Sequence, residues 1–169
     1  MFTIETERLI ITEFTPDMAE AVHKNSLDED NRRFVPDEVF ETLEEAKDTV
    51  SFLISRYGGE EGPFVYPILL KENRKNIGYV QFVPVEEGWE IGYHIAKAFT
   101  GKGYASEAVR AFLPMVMKAH QVKQIHGICL AENIASRRVM EKCGFTKIYE
   151  GIGPYQGQER SICRYLFNA

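Results

Sequence analysis

The segment Thr100-Gly101-Lys102-Gly103-Tyr104-Ala105-Ser106 holds two glycines one residue apart, a lysine between them and a helical pattern directly behind. A strand ending near Ala98, a glycine turn and a helix starting near Gly103 or Tyr104 would present several unpaired N–H groups at the positive end of a helix dipole. That arrangement is a site for a pyrophosphate. Glycine tolerates positive φ and lets the backbone approach an anion closely, and Lys102 can add a charge at the rim. From the glycines alone the segment is equally an ordinary turn leading into a helix. Two nucleotide motifs fail on detail. A P-loop needs Gly-x-x-x-x-Gly-Lys-Ser/Thr, but Lys102 is followed by Gly103 and Ala96 stands where the first glycine belongs. A dinucleotide fingerprint wants a third glycine at Ser106 and an early place in a parallel βαβ unit, whereas this loop follows three consecutive strands.

Other residue types with chemistry of their own are sparse. His23, His120 and His126 have no spacing partner for a metal and read as structural, and no metal is expected. Cys129, Cys143 and Cys163 are odd in number, widely spaced and without a CxxC pair, which argues against a disulfide framework and a zinc site. They are expected to be reduced and buried, with Cys143 packing rather than acting as a nucleophile. The formal charge of -5 and a pI near 5.5 disfavour nucleic acid as a partner and suit a cationic one. No apolar stretch approaches the roughly 18 to 20 residues that cross a bilayer, and the N-terminus lacks a secretory pattern, so the expectation is a cytoplasmic protein without a membrane partner.

The elements that must position the loop follow from periodicity. Thr3 to Phe14 reads as a strand, and Thr15 and Pro16 open a helix that keeps Met18, Ala21 and Val22 on one face. Asp28 to Glu38, charged and broken by Pro36, reads as a loop or short helix. Thr42 and Glu45 form a capping box for a second helix ending at Gly58-Gly59. Phe64–Glu72, Asn76–Val85 and Trp89–Ala96 read as an antiparallel meander. Behind the glycine loop, Ala105, Ala108, Val109, Phe112, Val116 and Ala119 fall at helical spacing, with Pro114 expected to kink the helix. Gln124–Ala131 reads as a buried strand, Asn133–Gly144 as a helix capped by Asn133, and two more strands lie around Phe145–Gly151 and within Arg160–Phe167. At 169 residues and 44% hydrophobic content, this order describes one domain, 1–169, with a mixed α/β sheet around one core.

"WEIGYHIAKAFTGKGYASEAV" followed by "NIASRRVMEKCGF" resembles the GNAT superfamily of acyl-CoA-dependent N-acetyltransferases. "TERLIITEFTPDMAEAV" also looks like the opening of the branch that contains the ribosomal-protein N-terminal acetyltransferases, so the resemblance spans nearly the whole chain. It implies the GNAT fold: a mixed, mostly antiparallel sheet of six to seven strands flanked by about four helices. It also implies acetyl-CoA as acyl donor. Backbone amides of Thr100, Gly101, Lys102, Gly103, Tyr104, Ala105 and Ser106 would hold the pyrophosphate, the strand at Tyr93, His94 and Ile95 would pair with the pantetheine arm, and Asn133 would contact the cofactor. The chain departs from the family in places. Thr100 replaces a usual Gln or Arg but leaves the amides, Thr12 stands where the branch has an arginine, and Met140 stands where many members carry a tyrosine acid.

Acetylation of an amine needs a base for the ammonium proton and a proton for the leaving thiolate. By resemblance Glu90 is the candidate base, acting directly or through water, and Ser136, one turn before Met140, is the candidate acid or thiol-orienting hydroxyl. A backbone N–H near His94 could stabilise the oxyanion. The His94 ring reads as packed or hydrogen-bonded more readily than as a base. Tyr66, Tyr79, Trp89 and Tyr155 either line an acceptor pocket or pack in the core. The expected function is direct acetyl transfer to a primary amine, on a protein N-terminus or a small molecule. The alternative is a non-catalytic acyl-CoA-binding or regulatory module. A homodimer is compatible with either.

Overall fold

The computed structural model describes residues 1–169. Eight strands form one sheet in the order β1-β2-β3-β4-β5-β6-β8-β7: β1 Thr3–Glu5, β2 Leu9–Thr12, β3 Phe64–Leu70, β4 Asn76–Val85, β5 Gly88–Ile95, β6 Gln124–Leu130, β7 Thr146–Tyr155 and β8 Gln158–Asn168. Neighbours are antiparallel except β5 and β6. The helices are α1 Ala19–Ser26, α2 Glu29–Phe34, α3 Leu43–Arg56, α4 Tyr104–His120 and α5 Ile134–Lys142.

The count of eight strands corrects the expected six to seven, and the cause is local. The single strand anticipated over Thr3–Phe14 breaks at Thr6-Glu7-Arg8. There the Thr6 N–H donates to the Leu9 carbonyl (2.9 Å) and the Leu9 N–H donates to Thr6 Oγ1 (3.0 Å). The Glu107 carboxylate on α4 clamps this turn, accepting from Thr6 Oγ1 at 2.6 Å, Arg8 N at 3.1 Å and Arg8 Nε at 2.7 Å. The fifth helix, against about four expected, is α2 in the charged Asp28–Glu38 stretch. Asp28 caps it by accepting from the Asn31 N–H at 2.7 Å.

β3 is buried throughout because both faces of the sheet are covered. Phe64, Tyr66 and Ile68 join the larger core with Phe112, Leu113 and Val116 of α4 and Met140 of α5. Val65, on the opposite face, joins Ala19, Val50 and Leu53 from α1 and α3. Each such side chain contributes about 1.5–3 kcal/mol by leaving water. Pro114 lies inside α4. No helix is long and apolar enough to cross a membrane.

Candidate functional site

The one parallel junction is the weak point of the sheet. β4 and β5 pair along their whole length, from Val85 with Gly88 to Gly78 with Ile95, but β5 and β6 share a single pair, Glu90 with His126. Beyond it the edge of β5 at Tyr93, His94 and Ile95 has no strand partner on the β6 side. Open α/β sheets bind ligands in such crevices at the carboxyl ends of parallel strands. Here a cavity of about 340 Å³ is lined by Glu90, Tyr93, Asn133, Ser136, Tyr155 and Arg164, among others.

The glycine loop closes the carboxyl end of β5. After a 3₁₀ turn over Lys97–Phe99, Gly101 and Gly103 adopt φ of 76° and 82°, and α4 begins at Tyr104 with no side-chain cap. No protein oxygen accepts from the N–H groups of Gly101, Lys102 or Gly103, and the first turn of α4 leaves those of Tyr104, Ala105 and Ser106 unpaired. Thr100 faces solvent and its N–H is used locally, donating to the Lys97 carbonyl at 3.2 Å. Arg8, missed by the sequence reading, reaches this loop: its guanidinium stacks on the Tyr104 ring at 4.3 Å while Nε holds Glu107.

Across β5 two carboxylates share one environment. Burial pushes Glu90 up to about 7 against the opposing pull of the Arg164 charge. Burial likewise pushes Glu38 up to about 7, and Asp37 and Glu90 add to the shift. Glu38 accepts from the Tyr79 hydroxyl and, at 3.5 Å, from Gln81 Nε2. Gln81 can lie there because Gly92 opposite has no side chain; a Cβ on it would sit 2.6 Å from Gln81 Nε2. Neither Glu38 nor Gln81 was anticipated, because Glu38 lies in a stretch whose charge reads as solvated loop.

The raised Glu38 value fixes a sign. The protonated carboxyl favours the fold, so its contribution is full below the ordinary value of 4.5 and is lost as pH rises through about 7. At pH 8 the buried charge costs on the order of 1–3 kcal/mol. Glu38→Gln is therefore expected to raise the melting temperature at pH 8, at about 2–4 °C per kcal/mol for a chain of this size. At pH 4 it should give no gain. Thermal melts at the two pH values check this.

The structure brings most of the expected site residues together. Ser136 Oγ lies 2.9 Å from the Tyr93 hydroxyl, which also donates to the Ser136 carbonyl at 3.0 Å. Asn133 caps α5, its Oδ1 accepting from the Ser136 N–H at 3.2 Å. Met140 is buried, and its sulfur packs so close to Gly127 that a Cβ there would lie 2.6 Å away. The His94 ring points to the opposite face from Tyr93, toward Asp28 (3.2 Å), and burial lowers its pKa. Tyr79 and Tyr155 line the cleft, whereas Tyr66 stacks on Tyr57 and Trp89 stacks on Phe82 at 4.2 Å in the core. His23 Nδ1 is bonded to the Phe40 carbonyl and His120 packs among Phe64, Phe82 and Trp89. The three cysteines are unpaired and buried.

The sequence profile of the acetyltransferase (GNAT) domain matches residues 8–146, from the turn that Glu107 clamps through α5. The chain belongs to the GNAT acetyltransferase family. Membership makes it an acetyl-CoA-dependent acyltransferase. Among GNAT relatives, the uncharacterized N-acetyltransferase YnaD of Bacillus subtilis (strain 168) is 34% identical over 146 residues, covering 85% of this chain and 82% of that one. A GNAT-family acetyltransferase from Bacillus anthracis superposes with a TM-score of 0.84 at 29% identity, covering 99% and 98% of the two chains. The RimL ribosomal L7/L12 alpha-N-protein acetyltransferase in complex with coenzyme A gives 0.83 over 99% and 98%; at 19% identity that likeness is one of GNAT fold.

Proposed function

We propose that the protein transfers the acetyl group of acetyl-CoA directly to a primary amine at the break between β5 and β6. One observation carries the reading: a cradle of unpaired amides from Gly101 to Ser106 ends the strand that also bears Glu90, a half-buried carboxylate held near 7. Those amides fit a pyrophosphate, with Lys102 at the rim. The free edge of β5 at Tyr93, His94 and Ile95 fits the amides of a pantetheine arm, and the Asn133 amide group faces the same cavity. The RimL relative holds coenzyme A, which supports this assignment.

Acetyl-CoA supplies the acyl group already activated as a thioester. Glu90 takes the proton of the incoming ammonium, directly or through water, and its value near 7 suits a base that works at neutral pH. The backbone N–H near His94 donates to the developing oxyanion. Ser136, bonded to Tyr93, holds the proton that the departing sulfur needs, and burial keeps the Tyr93 phenol protonated far above neutrality. A C–N bond forms and the C–S bond breaks; the ammonium nitrogen gives up two protons, one to Glu90 and one that restores the Ser136 hydroxyl after it has protonated the sulfur. A cysteine relay is disfavoured because burial raises the Cys129 thiol to about 11, which leaves little thiolate.

Ser136→Ala is expected to lower kcat by about 10² with acetyl-CoA affinity unchanged; full rate would remove Ser136 from the proton-donating role. Calorimetry tests the donor itself, and an absence of acetyl-CoA binding would contradict the proposal. Met140, a buried thioether where many relatives carry an acid, favours the second reading of a binding module. Acetyl-CoA binding with no thiol release across a broad amine panel would establish that reading instead.

A further inference from the structure

On the face of β5 that carries His94, between the sheet and α1 and α3, lies a second cavity of about 390 Å³. Its walls are mainly apolar: Phe14, Val22, Phe40, Leu53, Val65 and Val83. Glu38, Tyr79 and Gln81 line both this cavity and the cleft at Glu90, so the two spaces meet at the pair of raised carboxylates. Asp37 and Glu38, consecutive in sequence, are its only acidic residues, and burial lowers the His94 pKa against the pull of Asp28.

Behind the lining, one buried amide ties α1 to the turn that carries Glu38. Asn31 is 1% exposed, and its Nδ2 donates to the Ser26 and Glu38 carbonyls at 2.9 and 3.0 Å, which fixes the backbone that carries Glu38. Apolar walls with one acidic end suit an apolar frame that carries a single cation.

We infer that this cavity holds the body of the acceptor, a compact primary amine with an apolar frame and a single cation. The inference rests on the transfer reading above. The amine nitrogen sits at the Glu38 and Glu90 end, and the frame occupies the space walled by Val22, Phe40 and Val83. A polyamine or aminoglycoside would bury a second cation among these apolar groups, which is unfavourable without a paired charge. A volume of this size is that of a small-molecule site.

Thiol release from acetyl-CoA, measured with tyramine, phenethylamine, hexylamine, spermidine, kanamycin and a serine-initiated peptide, tests the inference. The expected order in kcat/KM places tyramine, phenethylamine and hexylamine above spermidine, kanamycin and the peptide by about 10-fold or more. Thr49→Trp, at a half-buried position on α3 lining the cavity, should raise KM for tyramine about 10-fold or more and leave acetyl-CoA affinity unchanged. Calorimetric titration of tyramine into the CoA-loaded protein reads occupancy without turnover. If spermidine, kanamycin or the peptide is preferred and tyramine does not bind, the inference is overturned while acetyl transfer stands. If acetyl-CoA itself does not bind, the transfer reading fails, and the inference with it.

Discussion

Glu90→Gln is expected to lower kcat for amine acetylation by about 10²–10⁴ while acetyl-CoA binds nearly as tightly as to the wild type. The split follows from position. Glu90 forms the one pair that joins β5 to β6, and the amides that fit the pyrophosphate begin eleven residues later on another element. As the proposed base, Glu90 must be ionised in the wild type, so kcat/KM should rise through about pH 7 and level off above it. The variant should lose that inflection. Glu38→Gln should keep it, although Glu38 titrates in the same range, because Glu38 is already engaged by Tyr79 and Gln81. Stability moves the other way. With its pKa raised, Glu90 favours the fold when protonated and loses that contribution as pH rises from 4.5 through about 7, so Glu90→Gln should melt no lower than wild type at pH 8. Loss of turnover with stability kept separates a chemical role from a structural one. An unchanged rate across the pH range would remove Glu90 as the base.

Gly103→Val is expected to weaken acetyl-CoA binding by about 10²-fold, more than any side-chain deletion in the loop. Gly103 adopts φ of 82°, a left-handed geometry that costs an L-residue about 1–2 kcal/mol and a β-branched one more. Relief of that strain turns the N–H groups of Gly103 and Tyr104 away from the anion. A hydrogen bond to a charged group contributes about 1.5–3 kcal/mol, so losing one or two accounts for the expected change. Lys102→Ala should matter less, since an exposed ion pair contributes about 0–1 kcal/mol and is screened by salt. Titrations of both variants at two ionic strengths check the ranking: backbone donors dominate, and only the lysine contribution fades strongly with salt.

The glycine loop was legible in sequence because its signal is local: two glycines, a helix pattern behind them and a strand before them. Asn133 was legible as a cap once the helix behind it was recognised, whereas Ser136 came only from the resemblance to the family. Glu38 was not. It lies in the 3₁₀ turn Pro36–Glu38, where Tyr79 and Gln81, more than forty residues away, reach its carboxylate. No periodicity in Asp28–Glu38 encodes that. The split of the first strand was hidden for the same reason, because Glu107, about a hundred residues downstream, supplies the acceptors that fix the Thr6–Arg8 turn. Long-range polar contacts are where the chain departs from its local pattern, and here they lie beside the site.

The central claim, direct transfer from acetyl-CoA to an amine in the cleft between β5 and β6, is tested most directly by initial rates of thiol release with acetyl-CoA and an accepted amine both varied. Intersecting double-reciprocal lines, with no acetyl group left on the protein by mass spectrometry after incubation with acetyl-CoA alone, are predicted. Parallel lines with a stoichiometric acetyl-protein, or acetyl-CoA binding without release to any amine, would contradict the account.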